Sequence, residues 1–172
     1  MKRAIIGLVL FLPTLAVAQQ GDAAMLRGRR SFHVTVENLD ANAQQCGVSG
    51  SQIQTDVELR LRRSGVTVVD RTSSSDALYV NLNVVHTPFG CIYAVQVEFN
   101  QFMFREVDVI AALPGSPSPT LSALCTTWSV GTLGTTPDLG GRRIRDSIGD
   151  QVDIFLNAWL SVNPPKQLSP GR

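Results

Sequence analysis

Few residues in the chain can do chemistry, and their spacing limits what that chemistry could be. Nucleophilic catalysis needs a base beside a Ser or Cys, usually a His held by a third group. Only His33 and His86 are present. His33 falls in an alternating stretch, His86 at the end of another just before a turn, and Cys125 in mid-strand. Gly47-Val48-Ser49-Gly50 lacks the residue before the second glycine that a nucleophile elbow requires. A glycosidase would set two carboxylates across a cleft, and Glu37 and Glu98 are the pair that could share one sheet face. Gly131-Thr132-Leu133-Gly134 is not followed by the Lys-Ser/Thr of a phosphate loop, and Gly140-Gly141 is only a pair. No C-x-x-C occurs and only His33 and His86 could join a metal site, so no metal is expected. With no catalytic or cofactor motif in the chain, neither a cofactor nor enzymatic activity is expected.

The elements that would position these residues are readable from hydrophobic period. In Asp76–Glu106, Leu78, Val80, Leu82 and Val84 alternate with Tyr79, Asn81 and Asn83. After His86-Thr87-Pro88-Phe89-Gly90, Tyr93, Val95, Val97 and Phe99 alternate with Gln96, Glu98 and Asn100. A period of two over runs this long predicts an antiparallel hairpin with one buried face. Ser31–Leu39 reads as an earlier strand, Val66–Asp70 as a short one and Thr120–Gly131 as the last, with Leu124, Trp128 and Val130 on one face. A helix is expected from Ser51, where Ser51 and Gln54 fit a capping box and Ile53, Val57 and Leu61 form a stripe that ends at Gly65. The final helix spans about Arg142–Leu160, with Ile144, Ile148, Val152, Phe155 and Trp159 in line, widened by Leu156 and Leu160. Arg142, Arg143 and Arg145 are disfavoured by the dipole at a helix start. An earlier start at Thr136-Pro137-Asp138 is therefore preferred to a site for an acidic partner or a lipid phosphate. The fold expected is α/β (α+β): a mixed, mostly antiparallel sheet of about five strands in the order β-α-β-β-β-α. Both helices lie on one face, and the strand–helix–strand unit pairs its strands in parallel.

Lys2 and Arg3, the apolar run Ala4–Leu15 and Ala16-Val17-Ala18 read as a cleaved signal peptide over residues 1–18. The run is short of the roughly 20 residues that span a bilayer. Export to the bacterial periplasm or beyond is expected. Residues 19–30, with Arg27–Arg30, are read as a flexible, solvated lead-in, with contact to anionic lipid or lipopolysaccharide as the alternative. Residues 31–162 make one domain and 163–172 a frayed tail, while Val107–Pro119, ending in PGSPSP, is read as a flexible connection. Without Lys2 and Arg3 the 15 basic residues become 13 against 14 acidic ones. A chain this close to neutral is not a dedicated nucleic-acid binder.

Three cysteines allow at most one internal disulfide. Cys46, in the loop Asp40–Gly50, is the expected participant, with Cys91 or Cys125 as its partner. The traced topology sets Cys91 at the opposite sheet end and Cys125 in mid-sheet as a small core residue. A strand of this length spans roughly 20 Å, whereas bridged Cα atoms lie within about 7 Å.

The element order and the segment Leu61–Asp70, LRRSGVTVVD, resemble the amino-terminal domain of TolB and the related domains of curli-secretion lipoproteins and penicillin-binding-protein activators. The resemblance implies an accessory or assembly module that binds other envelope proteins. The sheet face away from the helices is the expected contact, through Tyr79, Asn81, Asn83, Gln96, Glu98 and Asn100, with Trp128 and Phe89 supplying aromatic surface and Asp40–Gly50 a binding loop. His33, Thr35 and Glu37 are expected on the same face. A small periplasmic hydrolase, or a small-ligand or lipid-binding protein using that face, is the alternative.

Overall fold

A computed structural model describes residues 22–106, 120–137 and 140–164, with the backbone alone described at 104–106 and 120–122. The signal-peptide segment 1–18, the connection Val107–Pro119 and residues 165–172 lie outside the described residues.

Five strands, β1 (Ser31–Val36), β2 (Thr67–Val68), β3 (Ala77–Thr87), β4 (Gly90–Glu106) and β5 (Thr120–Thr136), form one mixed sheet in the order β2-β1-β3-β4-β5. Helices α2 (Gly50–Arg63) and α3 (Gly141–Val162) pack side by side on one face, and a short α1 (Ala41–Gln45) precedes α2. The alternation predicted for the hairpin is present. Leu78, Val80, Leu82, Val84, Tyr93, Val95, Val97 and Phe99 are all buried, because the inward residues of β3 and β4 meet the stripe Ile53-Val57-Leu61 of α2 and the stripe Ile144-Ile148-Val152-Phe155-Trp159 of α3. Four rings join these layers edge to face: Phe32 against Phe99 (5.3 Å) and Phe155 (5.7 Å), and Trp128 against Phe155 (5.2 Å).

Strand direction corrects the cysteine geometry. β1 runs parallel to β3 (Val34 beside Leu78), so both exit at the same end of the sheet. The hairpin turns there, and β4 begins there too. Cys91 therefore starts where β1 leaves, not at the opposite end, and it bonds Cys46 with Cα atoms 6.2 Å apart. Cys125 is free and half-buried, not a core residue. The turn itself is two residues, Pro88-Phe89, and Gly90 at φ +124° has no room for a Cβ against the Thr136 carbonyl.

Other expectations give way to long-range contacts. The segment Asp40–Gly50 is not an open loop. Asp40 caps α1, accepting from Ala43 N at 3.0 Å, and Ala43, Cys46 and Val48 are buried. The capping box at Ser51 does not form. The N-cap is Ser49, Ser51 pairs with the Ser49 hydroxyl, and Gln54 donates to Val34 O (2.9 Å) and to Glu58 (2.7 Å). Helix α3 starts at Gly141, not at Thr136, because Thr132–Thr136 extend β5 beside Cys91–Val95. A Cβ at Gly141 would strike the Gly47 carbonyl, so the helix start sits directly on the crosslinked segment. The arginines do then occupy its first turns. Arg145 lies 3.8 Å from Asp56 on α2 and Arg142 lies 3.9 Å from Asp146, which offsets the unfavourable dipole.

The lead-in is also fixed where it is described. A 3₁₀ turn, Ala23–Leu26, puts Leu26 in the core at 0 % exposure. Buried Asn163 donates to Leu26 O (2.8 Å) and accepts from Gly28 N (2.7 Å), while Trp159 Nε1 donates to Arg29 O (2.6 Å). Arg29 pairs with the largely buried Asp76 at 3.4 Å. Asn163 thus belongs to the domain rather than to a frayed tail.

Two outcomes test this frame. Replacing Cys46 and Cys91 together by Ala releases a crosslink of sequence separation 45, and loop-closure entropy sets the expected loss at about 4 kcal/mol in urea unfolding. A loss under about 1 kcal/mol would contradict the staple described. Asn163→Ala leaves the Leu26 carbonyl and the Gly28 amide without this partner and should cost about 2–3 kcal/mol. Hydrogen exchange should show the Gly28 amide losing protection before the hairpin does.

Candidate functional site

The sheet face away from α2 and α3 is built row by row from β3, β4 and β5. From the hairpin end inward, the rows are Val85-Ile92-Thr135, Asn83-Ala94-Leu133, Asn81-Gln96-Gly131, Tyr79-Glu98-Ser129 and Ala77-Asn100-Thr126. Strand alternation, with cross-strand partners on the same side, puts every one of these side chains on this face. Its hairpin half is apolar and exposed: Val85 is 55 %, Ile92 43 % and Leu133 74 % accessible, with Phe89 at the turn 89 %. Its middle is amidic, where Asn83 donates to Asn81 Oδ1 at 2.8 Å. Gly131, beside Gln96, leaves a shallow depression of ≈ 360 Å³ among Asn81, Asn83, Ala94, Gln96 and Ser129.

Ionisable groups gather at the inner end. Burial holds the Tyr79 phenol above its ordinary value, and the nearby Glu37 and Glu98 carboxylates add to the shift. Glu98 accepts from Asn100 Nδ2 (3.4 Å). The Thr126 hydroxyl lies 2.7 Å from Asn100 Oδ1 and 3.3 Å from Glu98 Oε2. The two carboxylates singled out for glycosidase chemistry thus flank a tyrosine and a hydrogen-bonded network. Among the described residues no three His, Cys, Asp or Glu side chains converge into a group that could hold a metal.

Of the residues expected here, Tyr79, Asn81, Asn83, Gln96 and Glu98 share the face. Asn100 lies on it but is 6 % exposed and spoken for by Thr126. Trp128 does not share it. The ring is 1 % exposed on the helix side, in contact with Phe155. The register shift beside Phe99 sets Thr127 as an extra residue between Trp128 and Thr126, which reverses the facing of the strand. Leu124, expected on the same face as Trp128, instead lies on the opposite side, 55 % exposed beside Phe102. Val85, Ile92 and Leu133 escaped notice in the sequence. The signal was there in Val84-Val85 and Cys91-Ile92-Tyr93, where apolar residues occupy both parities of a strand.

Ion pairs occupy the cleft between the helices. Its lining of ≈ 470 Å³ includes Arg60, Arg145, Asp56 and Asp153, and Arg60 meets Asp153 at 2.7 Å while Arg145 faces Asp56. The Asp40 carboxyl is held below its ordinary value by Asn42, which donates to it at 3.0 Å, and by the Ala43 amide. It acts as a helix cap. No helix of the described residues is long and apolar enough to cross a membrane. The chain matches no family model and no curated protein.

The raised phenol value has a measurable sign. Neutral Tyr79 is favoured in the folded chain, so its contribution is present below the unfolded tyrosine value, about 10, and is lost as pH rises through the higher folded value. Ultraviolet titration of the native protein against Tyr79→Phe should resolve a Tyr79 step above that of a free tyrosine, and Glu37→Gln should bring it down. A Tyr79 step at the ordinary value would show the carboxylates to be too distant to act.

Proposed function

We propose that this protein is an exported, non-enzymatic accessory module that docks a protein of the bacterial envelope on its open sheet face. One observation carries the reading: a wide, partly apolar surface that is uncharged over its hairpin half and middle. From Ala77 to Val97 the chain has no acidic or basic side chain except His86, and from Thr120 to Pro137 it has none. Interface cores are depleted of charge in the same way, and contiguous exposed apolar surface marks binding sites on soluble domains. The amide pair Asn81 and Asn83 gives the face polar directionality beside Val85, Ile92 and Leu133.

Export is supported by the segment Lys2–Ala18 and by the Cys46–Cys91 bond, since such bonds persist in oxidising compartments. Kinship with the TolB amino-terminal domain and the curli-secretion lipoproteins is part of the same proposal. It rests on element order and on Leu61–Asp70.

The test is recovery of the tagged protein from crosslinked bacterial envelopes, followed by mass spectrometry. Asn81→Arg with Asn83→Arg places two cations in the face and should reduce recovery of a specific envelope protein at least tenfold. Arg143→Glu, on the helix side, should leave recovery unchanged. Recovery of the tagged protein alone, or equal loss with Arg143→Glu, would overturn the proposal.

A further inference from the structure

The two edges of the sheet are treated differently. β2 is two residues long, and Arg62, Arg63, Asp70 and Arg71 flank it closely in the chain. A short edge beside charges is a common guard against pairing with another chain. β5 is 17 residues long, contains no charged residue and no proline, and among the described residues pairs only with β4. Its outer side therefore offers a row of backbone donors and acceptors.

We infer that β5 pairs antiparallel with β5 of a second copy, over Ser129–Thr135 and centred on Thr132. Side-chain size carries the choice of occupant. An antiparallel pair related by a two-fold axis sets residues of equal parity opposite one another, so that each face is kept. Centring on Thr132 puts Leu133 opposite Gly131, Val130 opposite Gly134 and Ser129 opposite Thr135, each pair occurring twice, with Thr132 opposite itself on the axis. Every bulky side chain meets a glycine, and the remaining pairs are hydroxyl residues suited to cross-strand contact. Leu133, 74 % exposed in the single chain, gains a neighbour on its own face. No like charges oppose each other, and the whole chain carries a formal net charge of only +1. Moving the centre by one residue to Leu133 sets Leu133 against itself and Gly131 against Thr135, and the match is lost. The extra residue Thr127 bounds the regular stretch on one side. The product is a ten-stranded sheet with all its helices on one side and two open faces joined on the other.

Sedimentation of the chain from Gln19 should give a dimer across its soluble concentration range, and Leu133→Glu should weaken the dimer at least tenfold. Cys125, the free thiol, reports the register in the unsubstituted protein. It lies seven residues from Thr132, one of them the extra Thr127, so six steps of about 3.4 Å on either side of the axis should set nitroxides on the two copies roughly 38–44 Å apart by electron double resonance, whereas a centre at Leu133 would set them roughly 48 Å apart. A monomer at all concentrations, a dimer indifferent to Leu133→Glu, or a Cys125 separation outside that range would each overturn the inference.

Discussion

Edge-to-face contact among Phe99, Phe32, Phe155 and Trp128 is the constraint on which the other features turn. Phe32 belongs to β1, Phe99 to β4, Trp128 to β5 and Phe155 to α3, so four rings tie elements from both ends of the chain. Each ring contributes on the order of 0.5–1.5 kcal/mol per pair beyond its burial. Geometry is the larger consequence. Because the three strand rings point to one side and meet Phe155 there, the helices cover that side, and the strands have nothing of the described chain to place against the other. The uncovered face and its apolar hairpin half follow from where the aromatic residues sit in the alternation.

Helix α3 is held at both ends by contacts far apart in sequence. Its first residue, Gly141, rests on the Gly47 carbonyl next to the Cys46–Cys91 bond. Its C-cap residue, Asn163, closes over the Leu26 carbonyl and the Gly28 amide. Between these anchors lies the longest apolar stripe in the protein. The disulfide therefore does more than close a loop. It fixes the segment on which α3 begins, and so bears indirectly on how Phe155 meets Phe32.

Much of this was legible in the sequence. Strands β3 and β4 alternate so regularly, and the stripes of α2 and α3 are so well spaced, that element order and the side taken by the helices could be read without coordinates. What escaped reading depends on partners remote in the chain. No local pattern says whether β1 runs with or against β3, and that one direction decides whether Cys91 can reach Cys46. Nothing local announces the extra residue at Thr127, which turns Leu124 outward and leaves Trp128 inside. Gln54 looks like a capping residue until Val34 and Glu58 compete for its amide. The arginines at the start of α3 look misplaced until Asp56 arrives from α2. On the open face, the amide and tyrosine positions were readable from parity. The apolar ones were missed because Val85 and Ile92 sit on the parity expected to be polar.

The placement of the two indoles has an optical consequence. Trp128 and Trp159 are the chain's two tryptophans, 1 % and 4 % exposed, and both lie on the helix side. Their emission should be that of shielded rings, and it should track the packing of α3 against the sheet. A molecule settling on the far side of the sheet meets neither ring. Loss of the fold would shift the emission to the red, while occupancy of the open face would leave it unchanged, so binding there has to be read by another signal.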